Sequence, residues 1–333
     1  MATIQRKYIT RYSSILIVII LLLTGYYTIR YVLRRRSPIR MVEETDLTRF
    51  VNATGVRRRI PRLIHQTWRT NNVPLQWNAS HYSVITKNVN EFKHYLWTDE
   101  KMHAFVRKHE PEFYKNTYIT YKYNIQRADS FRNVVLYHLG GIYIDMDSGC
   151  NRPFKDLLAT LEALDPDSPH LLAFPTDDGF GFLIDFIVST AGHPFHKQLI
   201  SRLHLFNYNF LFHYLTVYMS AGPLYVIIQE RLFKSSEQQA VRILTSTVTD
   251  CFVWRGEGRT WHTLDDKVLL YIYSKGHRIY RQPKLFVIAI VIICILALFF
   301  KWDRAYAVLW VWIRDAEFKF KKFIKSVAKF SKI

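Results

Sequence analysis

Two aspartates stand two residues apart at the end of a short apolar run, in the segment GGIYIDMD at residues 140–147. Strand periodicity over residues 142–146 sends Tyr143, Asp145 and Asp147 to one face. Ligands bind at the carboxyl ends of parallel strands, and paired carboxylates there repel each other unless a cation or protons compensate. A hard divalent ion does so and also neutralises a diphosphate leaving group. The alternative is two exposed aspartates at a turn, but the apolar strand and the glycine pair favour a site.

Three charged residues precede this pair on a helix predicted over residues 125–139, with Gly140 as its C-terminal stop. They are Arg127, Asp129 and Arg132. Because Arg127 and Asp129 are two residues apart on a helix, they point to different faces and cannot simply pair with each other. Each needs another partner, so one could contact a ligand while the other is structural. Their place beside a candidate site favours function over structure.

The elements that must position these side chains alternate along the chain. Strands are predicted at residues 62–65, 94–97, 142–146 and 171–174, and a helix capped by Thr98 or Asp99 begins near Glu100. Alternation of helices and strands implies an α/β fold, with a mostly parallel sheet and helices on its faces.

Composition and charge bound the class of protein. The 333 residues are 49% hydrophobic and 16% aromatic, which suffices for one large α/β domain with anchoring segments and argues against disorder. The formal net charge is +19, and much of it flanks apolar runs, which favours an anionic membrane surface over nucleic acid as the partner. The three cysteines form no C-x-x-C pair; Cys150 and Cys251 could form a disulfide or remain free thiols.

Two apolar runs predict membrane segments. Residues 13–33 follow basic residues and are interpreted as a signal anchor, with a cleaved signal peptide as the alternative. Residues 285–303 begin with sixteen uncharged residues, slightly short of the usual span. The basic tail at 304–333 is predicted to lie on an anionic leaflet as an amphipathic helix, or else to pack as a solvated helix on its own protein.

These segments give a domain plan for the chain. A cytosolic N-terminus at 1–12 and the anchor are followed by a stem at 34–58, a catalytic domain at 59–280, the second membrane segment and the tail. The lysine-rich tail favours cytosolic termini and a luminal central domain. That topology permits the glycosylation sequons at Asn52 and Asn78.

The aspartate segment, with Arg127-Ala128-Asp129 and Arg132 before it, resembles the DXD-containing glycosyltransferases. That family includes the yeast initiating α-1,6-mannosyltransferase and the inositol phosphoceramide mannosyltransferases. The resemblance spans about 200 residues in collinear order, which makes it more specific than any single motif. The matching segments are IPRLIHQTW at 60–68, LWTD at 96–99, YKY at 121–123, GHPF at 192–195, AGP at 221–223 and WH at 261–262.

This resemblance implies a GT-A type, Rossmann-like fold, a divalent cation such as Mn²⁺ or Mg²⁺, and retention of anomeric configuration. It implies that Asp145 contacts the ribose or sugar of the donor and that Asp147 binds the metal. His262 is expected near the metal or the diphosphate. The remaining residues expected to bind the donor are Arg127, Asp129, Arg132 and Tyr143, together with His65 and Gln66, which could hydrogen-bond a nucleotide base or be satisfied structural side chains.

The chain departs from the family at one expected pocket residue pair. Where the family has Ser-Asn-Asp, this chain has Leu183-Ile184-Asp185, so a polar pair is apolar here. Asp185 keeps the acidic position and is expected to be catalytic together with Asp145 and Asp147.

The expected reaction is mannosyl transfer from GDP-mannose to inositol phosphoceramide, at the luminal face of a Golgi or endoplasmic reticulum membrane. Related lipid mannosyltransferases imply a possible membrane regulatory subunit. One alternative is a mannosyl- or other hexosyltransferase acting on protein glycans. Another is a catalytically silent membrane regulatory subunit. Nucleic-acid binding rests on charge alone, and no nucleic-acid partner is expected.

Overall fold

A computed structural model describes residues 40–50, 55–177, 181–209, 213–233 and 241–256. Within these ranges no helix is both long and apolar enough to cross a bilayer. The predicted membrane segments at 13–33 and 285–303, the tail at 304–333 and His262 lie outside the described residues.

The strands form one large sheet and one small one. Their bounds are β1 Arg40–Val42, β2 Leu63–Thr67, β3 Lys93–Trp97, β4 Gly141–Ile144, β5 Ser148–Cys150, β6 Leu172–Asp177, β7 Gly181–Phe182, β8 Phe186–Ser189, β9 Val241–Leu244 and β10 Val253–Arg255. The large sheet has the order β1-β9-β6-β8-β4-β2-β3, with β7 paired to β6. Along this path only β8 runs against the others, so the predicted mostly parallel sheet is confirmed. Strands β5 and β10 form a separate antiparallel pair.

Helices cover both faces of the large sheet. Their bounds are α1 Glu44–Phe50, α2 Asn78–Asn88, α3 Asp99–His109, α4 Pro111–Asn116, α5 Asn124–Leu139, α6 Phe154–Leu164, α7 Pro194–Arg202, α8 His213–Ser220, α9 Pro223–Leu232 and α10 Ser246–Phe252. One core contains Phe131 of α5 and Tyr143 of β4; the other contains Ile142 of β4 and Phe154 of α6. Successive side chains of β4 therefore pack into cores on opposite faces of the sheet, which is the expected α/β layering.

Several local predictions are confirmed. Strands β2, β3 and β6 overlap the predicted ones, and α5 begins one residue before its predicted start. The Thr98 hydroxyl accepts the Lys101 amide at 3.3 Å, so Thr98 caps α3. Gly140 ends α5 with φ of 63°, and Gly141 follows with φ of 98°. A side chain at Gly141 would meet the Leu63 carbonyl oxygen at 2.5 Å, so only glycine lets β4 lie this close to β2.

Two observations differ from the expected boundaries. Strand β4 ends at Ile144, not at Met146, because the Ser148 amide donates to the Asp145 carbonyl and turns the chain at residues 146–147. Residues 40–50, in the range expected to be a stem, form β1 and α1 instead. Val42 and Leu47 of this segment are buried in the core, so the folded region includes residues 40–50.

Cys150 and Cys251 are free thiols.

Candidate active site

The DXD aspartates lie at the carboxyl end of β4, as the strand direction requires. The Asp145 amide donates to the Asp185 carbonyl at 2.8 Å, which joins the turn after β4 to the segment before β8. The carboxylates of Asp145, Asp147 and Asp185 are close enough that their charges perturb one another. The structure therefore brings together the three aspartates expected to be catalytic.

Arg132 is the buried cation of this group. Its side chain is 3% exposed and its guanidinium lies 2.5 Å from Asp129 Oδ1 and 3.5 Å from Asp145 Oδ1. It also donates to the Ile184 carbonyl and stacks 4.7 Å above the centre of the Tyr143 ring. Because Asp129 and Arg132 are three apart on α5, one helix face delivers both groups to the aspartates.

The electrostatics of the site are dominated by negative charge. Burial raises the pKa of Asp145, and the charges of Asp147 and Asp185 raise it further, while Arg132 opposes them. Burial and the charge of Asp185 likewise raise the pKa of Asp147. Burial raises the pKa of Asp129 to about 6, against the lowering effect of Arg132. A single guanidinium shared between Asp129 and Asp145 leaves the group with more carboxylates than nearby cations.

This excess of hard oxygen ligands fits a divalent cation. Asp185 is held by Arg255, whose Nε lies 2.5 Å from its carboxylate. Asp145 has only the longer contact of 3.5 Å with Arg132, and Asp147 has no ion pair among the described residues, so Asp145 and Asp147 are the ligands available. Within the described ranges no three Asp, Glu, His or Cys side chains form a ligating group. Two carboxylates are compatible with Mg²⁺ or Mn²⁺, because such ions are commonly held by one or two carboxylates together with substrate phosphates and water.

A cleft opens beside Asp147. Its volume is about 230 Å³, and its lining residues are Gln76, Trp77, Ser80, Asp147, Trp254 and Gly256. The Gly256 amide donates to the Asp147 carbonyl at 2.8 Å, and the Ser80 hydroxyl donates to the Met146 carbonyl at 2.5 Å. These two bonds fix the DXD turn between α2 and the end of β10.

The other predicted donor residues lie apart from the aspartates. Arg127 donates to the Tyr121 carbonyl at 2.6 Å and to Asn124, so it braces the chain before α5. As predicted, Arg127 and Asp129 have different partners. The placement of Arg127 corresponds to its structural alternative, and its contact with a donor stays a prediction.

The side chains of His65 and Gln66 are buried and engaged. Trp97 Nε1 donates to His65 Nδ1 at 3.1 Å, and His65 Nε2 lies 2.9 Å from the Gly140 carbonyl. Burial lowers the pKa of His65 to about 4, which keeps the ring neutral. Gln66 Oε1 lies 2.8 Å from His81 Nδ1 and 2.9 Å from His94 Nε2. This environment favours the structural alternative for both side chains, with every polar atom engaged except Gln66 Nε2, which is buried without a hydrogen-bond partner among the described residues.

Six residues of the site were not predicted: Gln76, Trp77, Ser80, Trp254, Arg255 and Gly256. Trp254 pairs with Gly149 in the small sheet, and Arg255 follows it. Their position depends on a strand pairing over a hundred residues of sequence. Gly149, two residues after the DXD motif, indicates that another group packs closely against the backbone there. A single sequence does not show that this group is Trp254.

Comparison with known proteins agrees with this geometry. Residues 74–164 match the family described as glycosyltransferase sugar-binding region containing DXD motif. Inositol phosphoceramide mannosyltransferase 1 of Schizosaccharomyces pombe is 30% identical over 305 residues, covering 88% of this chain and 92% of that protein. Inositol phosphoceramide mannosyltransferase 3 of the same yeast is 35% identical, covering 64% and 59%. Mannosyl phosphorylinositol ceramide synthase CSH1 of Saccharomyces cerevisiae is 34% identical, covering 62% and 54%. The chain is therefore a glycosyltransferase and belongs to the family of the inositol phosphoceramide mannosyltransferases.

Proposed function

We propose that this enzyme transfers mannose from GDP-mannose to inositol phosphoceramide with retention of anomeric configuration, on a GT-A type fold. One observation carries the proposal. The complete carboxylate group with its buried arginine occurs in a chain that covers 92% of the length of a relative named for that reaction.

The residues of the site have distinct roles in this reaction. Asp147, with Asp145 beside it, would hold Mn²⁺ or Mg²⁺, which when bound supplies neutralisation of the departing diphosphate. Arg132 holds the Asp145 carboxylate in place at 3.5 Å. Arg255 holds Asp185, whose carbonyl binds the Asp145 amide, so this pair positions the turn from the other side. His262 remains a proposed contact of the metal or the diphosphate.

The acceptor is proposed to be a lipid presented by a membrane. Leu75 is 89% exposed and directly precedes Gln76 and Trp77, which line the cleft, so an exposed apolar residue is adjacent in sequence to the cleft. The formal net charge of +19 suits an anionic lipid headgroup. We place the catalytic domain in the lumen of the Golgi or endoplasmic reticulum, anchored by the predicted segments and associated with a possible membrane regulatory subunit.

The test is donor turnover by the full chain in detergent–lipid micelles. GDP-mannose, UDP-glucose and UDP-galactose are supplied in turn with Mn²⁺ or EDTA, and inositol phosphoceramide is the acceptor. We expect Mn²⁺-dependent mannosyl lipid from the wild type and from Asp156→Asn, a matched change at an aspartate paired with Arg152 on the surface. We expect none from Asp147→Asn.

Two results would overturn parts of the proposal. Turnover of another donor, or of mannose only onto glycans, would remove the proposed substrates and keep the site. No turnover with any donor would indicate the silent-subunit alternative.

A further inference from the structure

Three large apolar side chains are exposed close together beside the start of α5. Ile119 is 46% exposed, Leu205 is 55% exposed and Tyr208 is 64% exposed. Ile119 lies in the short turn before α5, and Leu205 and Tyr208 lie in the segment between α7 and α8. The Asn207 side-chain amide donates to the Thr120 hydroxyl at 2.8 Å, which joins the two segments. We call Ile119, Leu205 and Tyr208 the apolar patch.

The two segments that form the apolar patch carry positive charge and no negative charge. Residues 113–128 and 186–229 contain neither Asp nor Glu. Lys122, three residues after Ile119, is exposed, and Arg127 Nη2 lies 3.4 Å from the Ile119 carbonyl oxygen. The apolar patch is therefore bordered by cations, in chain segments that supply no carboxylate.

Two exposed apolar residues elsewhere have different surroundings. Met41 is 51% exposed and is followed by the exposed Glu43 and Glu44. Leu232 is 47% exposed at the end of α9, two residues after Glu230. These two positions resemble the apolar patch in exposure but have glutamates close to them in the chain, so they are suitable controls.

The apolar patch lies at the end of the helix that carries the buried arginine of the site. Helix α5 begins at Asn124, and Arg132, whose guanidinium lies 3.5 Å from Asp145 Oδ1, follows eight residues later. At a rise of 1.5 Å per residue, this separation is about 12 Å along the helix. A surface that contacts the apolar patch is therefore also near the aspartates.

An anionic bilayer matches both properties of the apolar patch. Tyrosine and aliphatic side chains are favoured at the boundary between headgroups and acyl chains, and basic side chains are attracted to anionic headgroups. The membrane segments predicted from the sequence would keep a bilayer at high effective concentration. A soluble acidic protein matches the charge but lacks such a tether, so the bilayer is the better-supported occupant.

We propose that the apolar patch docks on an anionic bilayer, with Ile119, Leu205 and Tyr208 at the boundary between headgroups and acyl chains and Lys122 on the headgroups. The inference rests on the proposed function, which requires the catalytic domain to reach a lipid acceptor. It adds the surface of the domain that makes the contact.

Photo-crosslinking tests this contact in the full chain. The protein is reconstituted in nanodiscs of phosphatidylcholine and phosphatidylinositol, with p-benzoylphenylalanine in place of one residue at a time. The patch positions are Ile119 and Leu205, and the controls are Met41 and Leu232. Irradiation links the label to whatever touches it, and mass spectrometry of the labelled peptide identifies the adduct. We expect lipid adducts at both patch positions, at least about fivefold above the controls. Thermal unfolding establishes that each labelled protein is folded.

A charge change tests the attraction to anionic headgroups. Lys122→Gln, made in the protein labelled at Leu205, should lower the yield of lipid adduct by roughly two- to fivefold, as loss of one lysine near an anionic surface predicts. The matched control is Lys155→Gln, at an exposed lysine on α6, which packs in the other core of the sheet; it should leave the yield unchanged. In nanodiscs of phosphatidylcholine alone, Lys122→Gln should have no effect.

These crosslinks do not require turnover, so the contact and the proposed reaction can fail separately. Lipid adducts at the apolar patch of a protein that forms no mannosyl lipid would support the contact and count against the reaction. Equal yields at the patch and control positions would overturn the inference, even in an active enzyme. Adducts of Leu205 with a second copy of the chain or with another protein would also overturn it.

Discussion

Buried charges occur at both edges of the large sheet, but they are balanced differently. At the amino ends of the strands, Glu162 accepts the amides of Arg59 and Ile60 at 2.6 and 2.8 Å, and it pairs with Arg62 at 3.0 Å. At the same edge, the Arg242 guanidinium donates two hydrogen bonds to the Asp165 carboxylate. At the carboxyl ends, Asp147 has no ion-pair partner among the residues the structure describes, and Asp145 shares Arg132 with Asp129.

The balance of charge distinguishes buried carboxylates that stabilise the fold from carboxylates that bind a ligand. A buried carboxylate that accepts several hydrogen bonds and pairs with a guanidinium satisfies its own environment and ties chain segments together. A cluster with surplus carboxylates is complete only when a cation or substrate joins it. We therefore interpret the ion pairs at the amino edge as a structural clamp that ties residues 59–62 to α6. We interpret the aspartates at the carboxyl edge as a ligand-binding site.

The largest expected effect removes the surplus charge. Asp147→Asn should lower mannosyl transfer by roughly 100-fold or more, because loss of metal-assisted charge neutralisation is worth several kcal/mol. Stability should not fall, because one repelling carboxylate is gone. Transfer assays and urea unfolding check both parts against Asp156→Asn. Full activity, or a clear loss of stability, would contradict the assignment.

The reciprocal change breaks the clamp. Glu162→Gln should lower the free energy of unfolding by about 3 kcal/mol, because it leaves the Arg62 guanidinium, whose side chain is 16% exposed, without its carboxylate and weakens the acceptor of the Arg59 and Ile60 amides. The folded variant should keep a kcat near that of the wild type. Glu112→Gln, at an exposed glutamate on α4, is the control for urea unfolding. A stable but inactive Glu162→Gln would contradict the division between the two edges.

The buried, neutral side chain of His65 should make the stability of the fold depend on pH. The pKa of His65 is lowered from an ordinary value of 6.5 to about 4, so in this pH range the unfolded chain binds the extra proton. The stability that His65 contributes is present above pH 6.5 and is lost as pH falls toward 4. Between pH 7.5 and 5 the loss should be about 2 kcal/mol.

Urea unfolding at these two pH values checks this. His65→Gln should show a smaller loss of stability on acidification than the wild type. His204→Gln, at an exposed histidine, should show the same loss as the wild type. Equal losses in all three proteins would mean that His65 is not held neutral.

The smallest effect concerns Leu75, which is adjacent in sequence to the cleft. Leu75→Ser should leave stability within about 0.5 kcal/mol and donor hydrolysis unchanged, since the side chain is exposed. It should raise the KM of a lipid acceptor in vesicles by roughly 2- to 5-fold, as loss of part of an apolar side chain predicts. Val89→Ser, at an exposed valine just after the far end of α2, is the matched control. An equal effect of both changes would remove Leu75 from the acceptor path.

The sequence predicted those parts of the fold that are determined by residues close to one another in the chain. The cap at Thr98, the stop at Gly140 and the apolar strands depend on neighbours within a few residues, and the structure has all of them. The end of β4 was predicted two residues too late, because the apolar alternation continues to Met146 and does not show the turn closed by the Ser148 amide and the Asp145 carbonyl. Strand β1 was not predictable, because it depends on pairing with β9, two hundred residues later.

The site divides in the same way. Asp145, Asp147 and Arg132 come together because adjacent elements carry them, and the motif revealed them. Trp254 and Arg255 reach the site through the pairing of β10 with β5, which a single sequence does not encode locally. His65 and Gln66 stood at the expected place, but their environment depends on Trp97, His81 and His94 from other elements.

The central claim is that the DXD aspartates form a cation site completed by the nucleotide. The most direct test is electron paramagnetic resonance of Mn²⁺ in the presence of GDP, which reports free and bound ion. The wild type and Asp156→Asn should bind Mn²⁺ with equal affinity, and Asp147→Asn should bind it at least about tenfold more weakly, a loss of 1.4 kcal/mol. Equal binding by all three proteins would contradict the claim.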